Sequence, residues 1–143
     1  MANNTLHEII MECQRLVHAY AVHVDQGDAE RLAALFSQDA RLERGDVRLQ
    51  GSAQIGAALS RRDPLLRTHH HCSTVHIDVL SPERASGVTY FQLFRDLRAP
   101  DNEPARASLP MAPTVVGEYY DEFVKGPDGG WRFQSRVTRP AFS

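Results

Sequence analysis

Apolar residues recur at Leu6, Ile9, Ile10, Cys13, Leu16, Val17, Tyr20, Ala21 and Val24. Their three- and four-residue spacing predicts a long amphipathic helix with one buried stripe. Thr5 followed by Glu8 has the form of a capping box, so the helix is expected to begin there. Gly27 supplies a left-handed stop, and Asp28 can cap a second short helix that carries Leu32, Leu35 and Phe36 on one face.

Beyond Ser37 the period shortens. Arg41–Glu43 and Val47–Gln50 flank Gly45-Asp46 and read as a small hairpin. Ser52 is expected to cap a third helix with Ile55, Ala58 and Leu59 facing inward, ended by Asp63-Pro64. Four β segments follow, at about Leu66–Leu80, Ala85–Leu97, Thr114–Lys125 and Trp131–Arg139. Ser81-Pro82-Glu83 makes the first turn, and the Gly126–Gly130 stretch the last. Between the middle two strands, residues 99–113 carry Pro100, Pro104, Pro110 and Pro113, and form either a lid or a plain surface excursion.

Helices first and mainly antiparallel strands afterwards define an α+β fold. Three N-terminal helices packed on the concave side of a strongly bent sheet would leave a conical cavity, which suits a small molecule better than a flat partner.

The chain has 143 residues, 42% of them hydrophobic, which suits a single domain spanning 1–143 with a real core. Sixteen Lys+Arg stand against 18 Asp+Glu, a net charge of −2 that offers no basic surface for nucleic acid or an anionic membrane. No apolar run approaches the roughly 18 residues of a membrane span, and the start lacks a signal-peptide layout, so a cytoplasmic protein is expected. Cys13 and Cys72 are too far apart in sequence to suggest a disulfide framework.

Asp25 is the most informative polar residue. It falls four residues after Ala21 and eight after Val17, at the edge of the buried stripe. A carboxylate there loses hydration, which is expected to raise its pKa and fit it to act as a base or to orient one; the plain alternative is that it ends the helix in water. His69-His70-His71 opens the first long strand. Successive strand side chains point to opposite faces, so the three cannot converge on one metal, and no metal site is expected. One inward histidine can serve as general base. Strict alternation puts His71 on the face of Val75, Ile77 and Val79, whereas a bulge near Cys72–Thr74 would bring His70 there instead. Arg136, on the last strand, is either a buried anion partner or surface-facing. No dinucleotide fingerprint, Walker loop or nucleophile elbow is present.

The segment from Tyr20 through Asp25 and Asp28 to Phe36 resembles the first-helix signature of SnoaL-like proteins, in the superfamily named for nuclear transport factor 2. Gly51–Ile55, Thr68–Thr74 and Gly117–Phe123 followed by Gly130–Phe133 fit the same pattern in order and spacing. The resemblance implies a cone-shaped α+β barrel with one deep pocket, assembled as a homodimer or homotrimer. Its enzymatic branches include scytalone dehydratase, hexachlorocyclohexane dehydrochlorinase, ketosteroid isomerase and polyketide cyclases. By motif position it implies an Asp25–His70 dyad, with Tyr20, Val24, Gly117 and Tyr119 lining the pocket. The resemblance also places Val24 where scytalone-type dehydratases have a tyrosine, and Leu97 or a near neighbour where they have a second histidine.

These readings give two expectations. The first is a cofactor-independent lyase or isomerase acting on a mid-sized apolar cyclic substrate, with His70 removing a proton and Asp25 fixing its tautomer. The alternative is a non-catalytic ligand-binding or accessory subunit with the same cone.

Overall fold

The computed structural model describes residues 3–97 and 110–142. Among them, helix α1 spans Asn3–Gln26, α2 Ala29–Ala34 and α3 Ser52–Ser60. The strands are β1 Phe36–Arg44, β2 Val47–Gln50, β3 Leu66–Ser81, β4 Arg84–Leu97, β5 Val115–Lys125 and β6 Trp131–Pro140. They form one open six-stranded sheet in the order β2-β1-β6-β5-β4-β3. Every pairing is antiparallel except β1 with β6.

The apolar stripe of α1 is the backbone of the core, for Ile9, Cys13, Leu16, Val17, Tyr20 and Ala21 are all buried. This helix touches β3 at one edge of the sheet and also β4 and β6. At about 1.5 Å per residue this 24-residue helix is long enough to cross those strands, so it lies over the sheet and covers its face. At the helix end Gly27 takes φ +70°, and its N–H donates to the Val24 carbonyl at 3.0 Å. The Asp28 carboxylate then caps α2 by accepting from the Arg31 N–H at 3.1 Å.

Three boundaries differ from the sequence pattern. Helix α1 already includes Asn3, so Thr5 lies inside it and does not cap it. Phe36 does not extend the apolar face of α2. It opens β1 opposite Phe133 of β6, because a buried parallel partner outweighs local helical spacing. Gly51, at φ +88°, occupies the N-cap of α3, and Ser52 is the first helical residue with no capping bond from its side chain. Most of the proline-bearing stretch 99–113 lies outside the described residues.

The far half of the interior is built around a charge. Arg136 and Asp121 face each other across β5 and β6, and both side chains are fully buried. Arg136 Nε donates to Asp121 Oδ1 at 2.7 Å and Nη2 to Oδ2 at 2.8 Å. The guanidinium carbon lies 3.9 Å from the Tyr119 ring centre, 4.3 Å from Tyr20 and 4.5 Å from Phe133. Burial alone would push this guanidinium down, but the adjoining carboxylate outweighs it and holds it above its ordinary value. Of the two readings of Arg136, the buried anion partner is the one the fold adopts.

Candidate active site

At the other end of α1, Asp25 meets β3. The strand is the sheet's last, with β4 on one side only, so N–H groups on its outer side need other partners. Asp25 supplies one. Its Oδ2 accepts the His70 backbone N–H at 2.8 Å, while Oδ1 faces the His70 ring Nδ1 at 2.6 Å and accepts the Thr68 hydroxyl at 2.8 Å. Thr68 and His70 reach the same carboxylate because residues two apart on a strand share a face.

The bulge is present. Cys72 pairs with Phe91 and Thr74 with Tyr90, which leaves Ser73 as the extra residue. Ser73 and Thr74 are consecutively exposed, and the inward phase then resumes at Val75, Ile77 and Val79. His70 therefore shares the inward side with those residues, and His69 and His71 point out to solvent. There the two outer rings touch, His69 Nδ1 to His71 Nε2 at 2.7 Å.

The Asp25 and His70 side chains are 15% and 10% exposed, enough shielding to strengthen their contact. Burial pushes the Asp25 carboxyl up, but the ring and backbone N–H of His70 and the Thr68 hydroxyl outweigh it, and its pKa falls below the ordinary value. The expected rise is thus reversed, because hydration lost on burial is replaced by three donors. An ionised Asp25 can only accept, so the shared proton sits on His70 Nδ1, and in a neutral ring the lone pair is then on Nε2. That tautomer is the one a general base requires.

The remaining candidates spread over two regions. The Val24 side chain packs half-buried against the core, and its carbonyl accepts from Arg62 Nη1. Tyr20 and Tyr119 lie deeper, in the ring cluster over Arg136, 5% and 3% exposed. Phe91 links the regions, stacked on Tyr119 at 4.2 Å and 6.4 Å from the His70 ring. Gly117 lies beneath Phe91, where a Cβ would come within 2.5 Å of the Arg139 carbonyl and 3.1 Å of the Phe91 ring. The missing Cβ lets β6 approach at the Arg139 carbonyl first of all, and leaves room for the Phe91 ring beside it. Burial raises both phenols' pKa values, so Tyr20 and Tyr119 remain protonated donors.

Two contributors were not singled out as site residues from the sequence. Thr68 has a usable signal, its two-residue offset from His70. Arg62 has none, since its partners Val24 and Leu66 are backbone carbonyls that any residue would supply. A cleft of about 410 Å³ opens beside them, lined by Asp25, Gly27, Leu59, Arg62, Leu66 and Arg67 among others.

A family model described as a SnoaL-like domain matches residues 7–137. Three similar solved structures carry related folds. A scytalone dehydratase-like protein from Novosphingobium aromaticivorans is 24% identical, with a TM-score of 0.79 over 99% of this chain and 89% of that one. A nuclear transport factor 2-like protein with a cystatin-like fold, from the same organism, is 22% identical with a TM-score of 0.77, covering 95% and 84%. A hexachlorocyclohexane dehydrochlorinase from Novosphingobium barchaimii is 17% identical with a TM-score of 0.78, covering 99% and 92%. At these identities the likeness speaks for the fold. No curated protein matches the sequence. The α+β element order, the open six-stranded sheet and a family match over residues 7–137 agree, and the chain belongs to the SnoaL-like domain family.

Proposed function

We propose that this protein is a cofactor-independent lyase or isomerase of the dehydratase kind, working on a mid-sized, largely apolar cyclic substrate. The observation that carries the reading is the 2.6 Å contact between Asp25 Oδ1 and His70 Nδ1, on a carboxylate held ionised by three donors. His70 Nε2 takes a proton from a carbon next to a carbonyl or to a leaving group. In an elimination, the C–H electron pair becomes the new double bond as the leaving group departs with its own pair. A departing hydroxide takes the proton back from the imidazolium and leaves as water. In an isomerisation the same proton returns to a different carbon. Asp25 stabilises the imidazolium formed in between, and its orienting role needs no covalent change.

Phe91, Tyr119 and Tyr20 are at most 5% exposed, so an apolar substrate ring reaches them only by parting this cluster, where a neutral tyrosine hydroxyl can then donate to developing negative charge on a carbonyl oxygen. Assembly as a homodimer or homotrimer belongs to the same reading. Tyr90 and Tyr120 are large apolar side chains exposed on the sheet, where a second copy can cover them. One observation favours the alternative of a binding or accessory protein: both tyrosines are packed tightly against Arg136, so the deep interior is already filled by rings.

The test is turnover and hydrogen exchange in D2O with cyclic ketones, hydroxylated steroids and halogenated rings. His70→Ala is expected to lower the rate by about 10²–10⁴-fold, the usual worth of a positioned base. Normal turnover by both His70→Ala and Asp25→Asn would remove the dyad reading, and ligand binding without exchange would favour the alternative.

A further inference from the structure

A carboxylate in the last turn of a helix is badly placed. The helix's C-terminal carbonyls are short of donors and present partial negative charge, which works against an ionised neighbour. Asp25 occupies that position on α1, one residue before the terminal Gln26. Besides the three donors on the carboxylate itself, Arg62, which follows α3, reaches this helix end. Its Nη1 donates to the Val24 carbonyl, the residue before Asp25, and its Nη2 donates to the Leu66 carbonyl at 3.1 Å, two residues before Thr68. One planar fork thus spans the two segments that carry the dyad. The base of the fork is itself fixed, since the Arg62 N–H donates to the Leu59 carbonyl of α3 at 3.0 Å and Asp63 closes the next turn onto the Leu65 N–H at 2.9 Å.

We propose that Arg62 is a positioning residue for the Asp25–His70 pair, clamping the end of α1 to the start of β3 and placing a positive charge beside Asp25. The inference rests on the reading of that pair as the reacting groups, although the clamp itself is open to measurement without turnover. The charged and titratable groups around Asp25 are few. From β3 come the His70 ring, the Cys72 thiol and Arg67, and from the α3–β3 turn come Arg62 and Asp63; Arg62, Asp63 and Arg67 line the same cleft. Arg62 and Asp25 attract each other, while Arg67 repels Arg62. A lysine cannot replace the fork, because a single ammonium is a point donor and the two carbonyls belong to different segments.

The experiment uses the full chain with Arg62→Met and Arg62→Lys, read by NMR of the Asp25 carboxyl and of the His70 ring nitrogens. In Arg62→Met the Asp25 midpoint is expected to rise by about half a pH unit, a threefold change in proton affinity, and the His70 Nδ1–H to exchange faster with water. Arg62→Lys is expected to recover the midpoint but not the slow exchange. A folded Arg62→Met protein whose Nδ1–H exchanges as slowly as in the parent would overturn the proposal, whatever its midpoint. Should Arg62→Met fail to fold, the lysine variant decides: faster exchange supports the clamp, unchanged exchange overturns it. With a substrate in hand, kcat is expected to fall about tenfold with little change in KM, as for a misplaced catalytic group. If His70→Ala left turnover intact, the catalytic reading would fall on its own, while these NMR signals would still judge the clamp.

Discussion

Asp25 holds His70 twice, by the ring Nδ1 at 2.6 Å and by the backbone N–H at 2.8 Å, so one carboxylate fixes both the position and the tautomer of the same residue. The arrangement is stricter than a side-chain contact alone, because the ring cannot swing away without its backbone staying tied to the helix.

Asp25→Asn is the most direct probe of that double hold. The amide oxygen can still accept the backbone N–H, but the charge that strengthens the ring and Thr68 bonds is gone. A loss of about 2 kcal/mol is expected, since hydrogen bonds to charged groups contribute about 1.5–3 kcal/mol each and part of the set survives. Urea unfolding would measure it. A loss near zero would mean that Asp25 is effectively hydrated in the folded chain.

The same group sets an acid sensitivity. The folded-state pKa of Asp25 lies below its ordinary value, so its contribution to stability is complete above the unfolded carboxyl pKa of roughly 3.9 and fades as pH falls through the lower folded value. Stability curves of the parent and of Asp25→Asn should therefore run parallel near neutrality and converge below about pH 4. Curves that remain parallel to the acid end would contradict the three-donor account.

Asp121→Asn tests the buried pair. Arg136 and Asp121 are both wholly buried, and removing one charge strands the other among aromatic rings. Breaking such a pair costs about 3–5 kcal/mol, whereas replacing both members by apolar residues of similar size is much milder. Denaturant titration of Asp121→Asn and of Asp121→Leu with Arg136→Met should separate in that order.

Deleting Ser73 probes the strand phase. Ser73 is the extra residue between the Cys72–Phe91 and Thr74–Tyr90 pairs. Without it the alternation runs unbroken through His70, Cys72, Val75 and Ile77, so all four keep the inward side, whereas one further residue inserted beside Ser73, with a one-residue bulge retained, sets His70 and Ile77 on opposite faces. The deletion is expected to keep cooperative thermal unfolding by circular dichroism, and the insertion to weaken or abolish it. Ser73→Ala, which keeps the count, should be nearly neutral. A deletion variant that loses the His70–Asp25 bond, or an insertion variant that keeps it with full stability, would contradict this account of the phase.

Element type and order were legible because each depends on local chemistry. The 3.6-residue stripe of α1, the Gly27-Asp28 stop and cap, and the long alternating strands need nothing beyond their neighbours in the chain. The edge-of-stripe position of Asp25 belongs to this class too. Phe36 shows the limit. Its spacing from Leu32 and Leu35 is helical, yet its β6 partner Phe133 lies almost a hundred residues away and draws it into the sheet.

What only the tertiary structure decided is how distant segments meet. A period of two carries no marker for the residue at which it slips, so the face of His70 waited on the bulge at Ser73. The sign of the Asp25 shift waited on three donors from residues more than forty positions away, which reverse the effect of burial alone. Arg62 acts on backbone carbonyls, and carbonyls leave no trace in side-chain pattern. The sequence alone determined the helices, the strands and the acid and imidazole that are available. The packing of α1 across the sheet decided which of them touch, because contact between remote segments depends on register and twist accumulated over the whole fold.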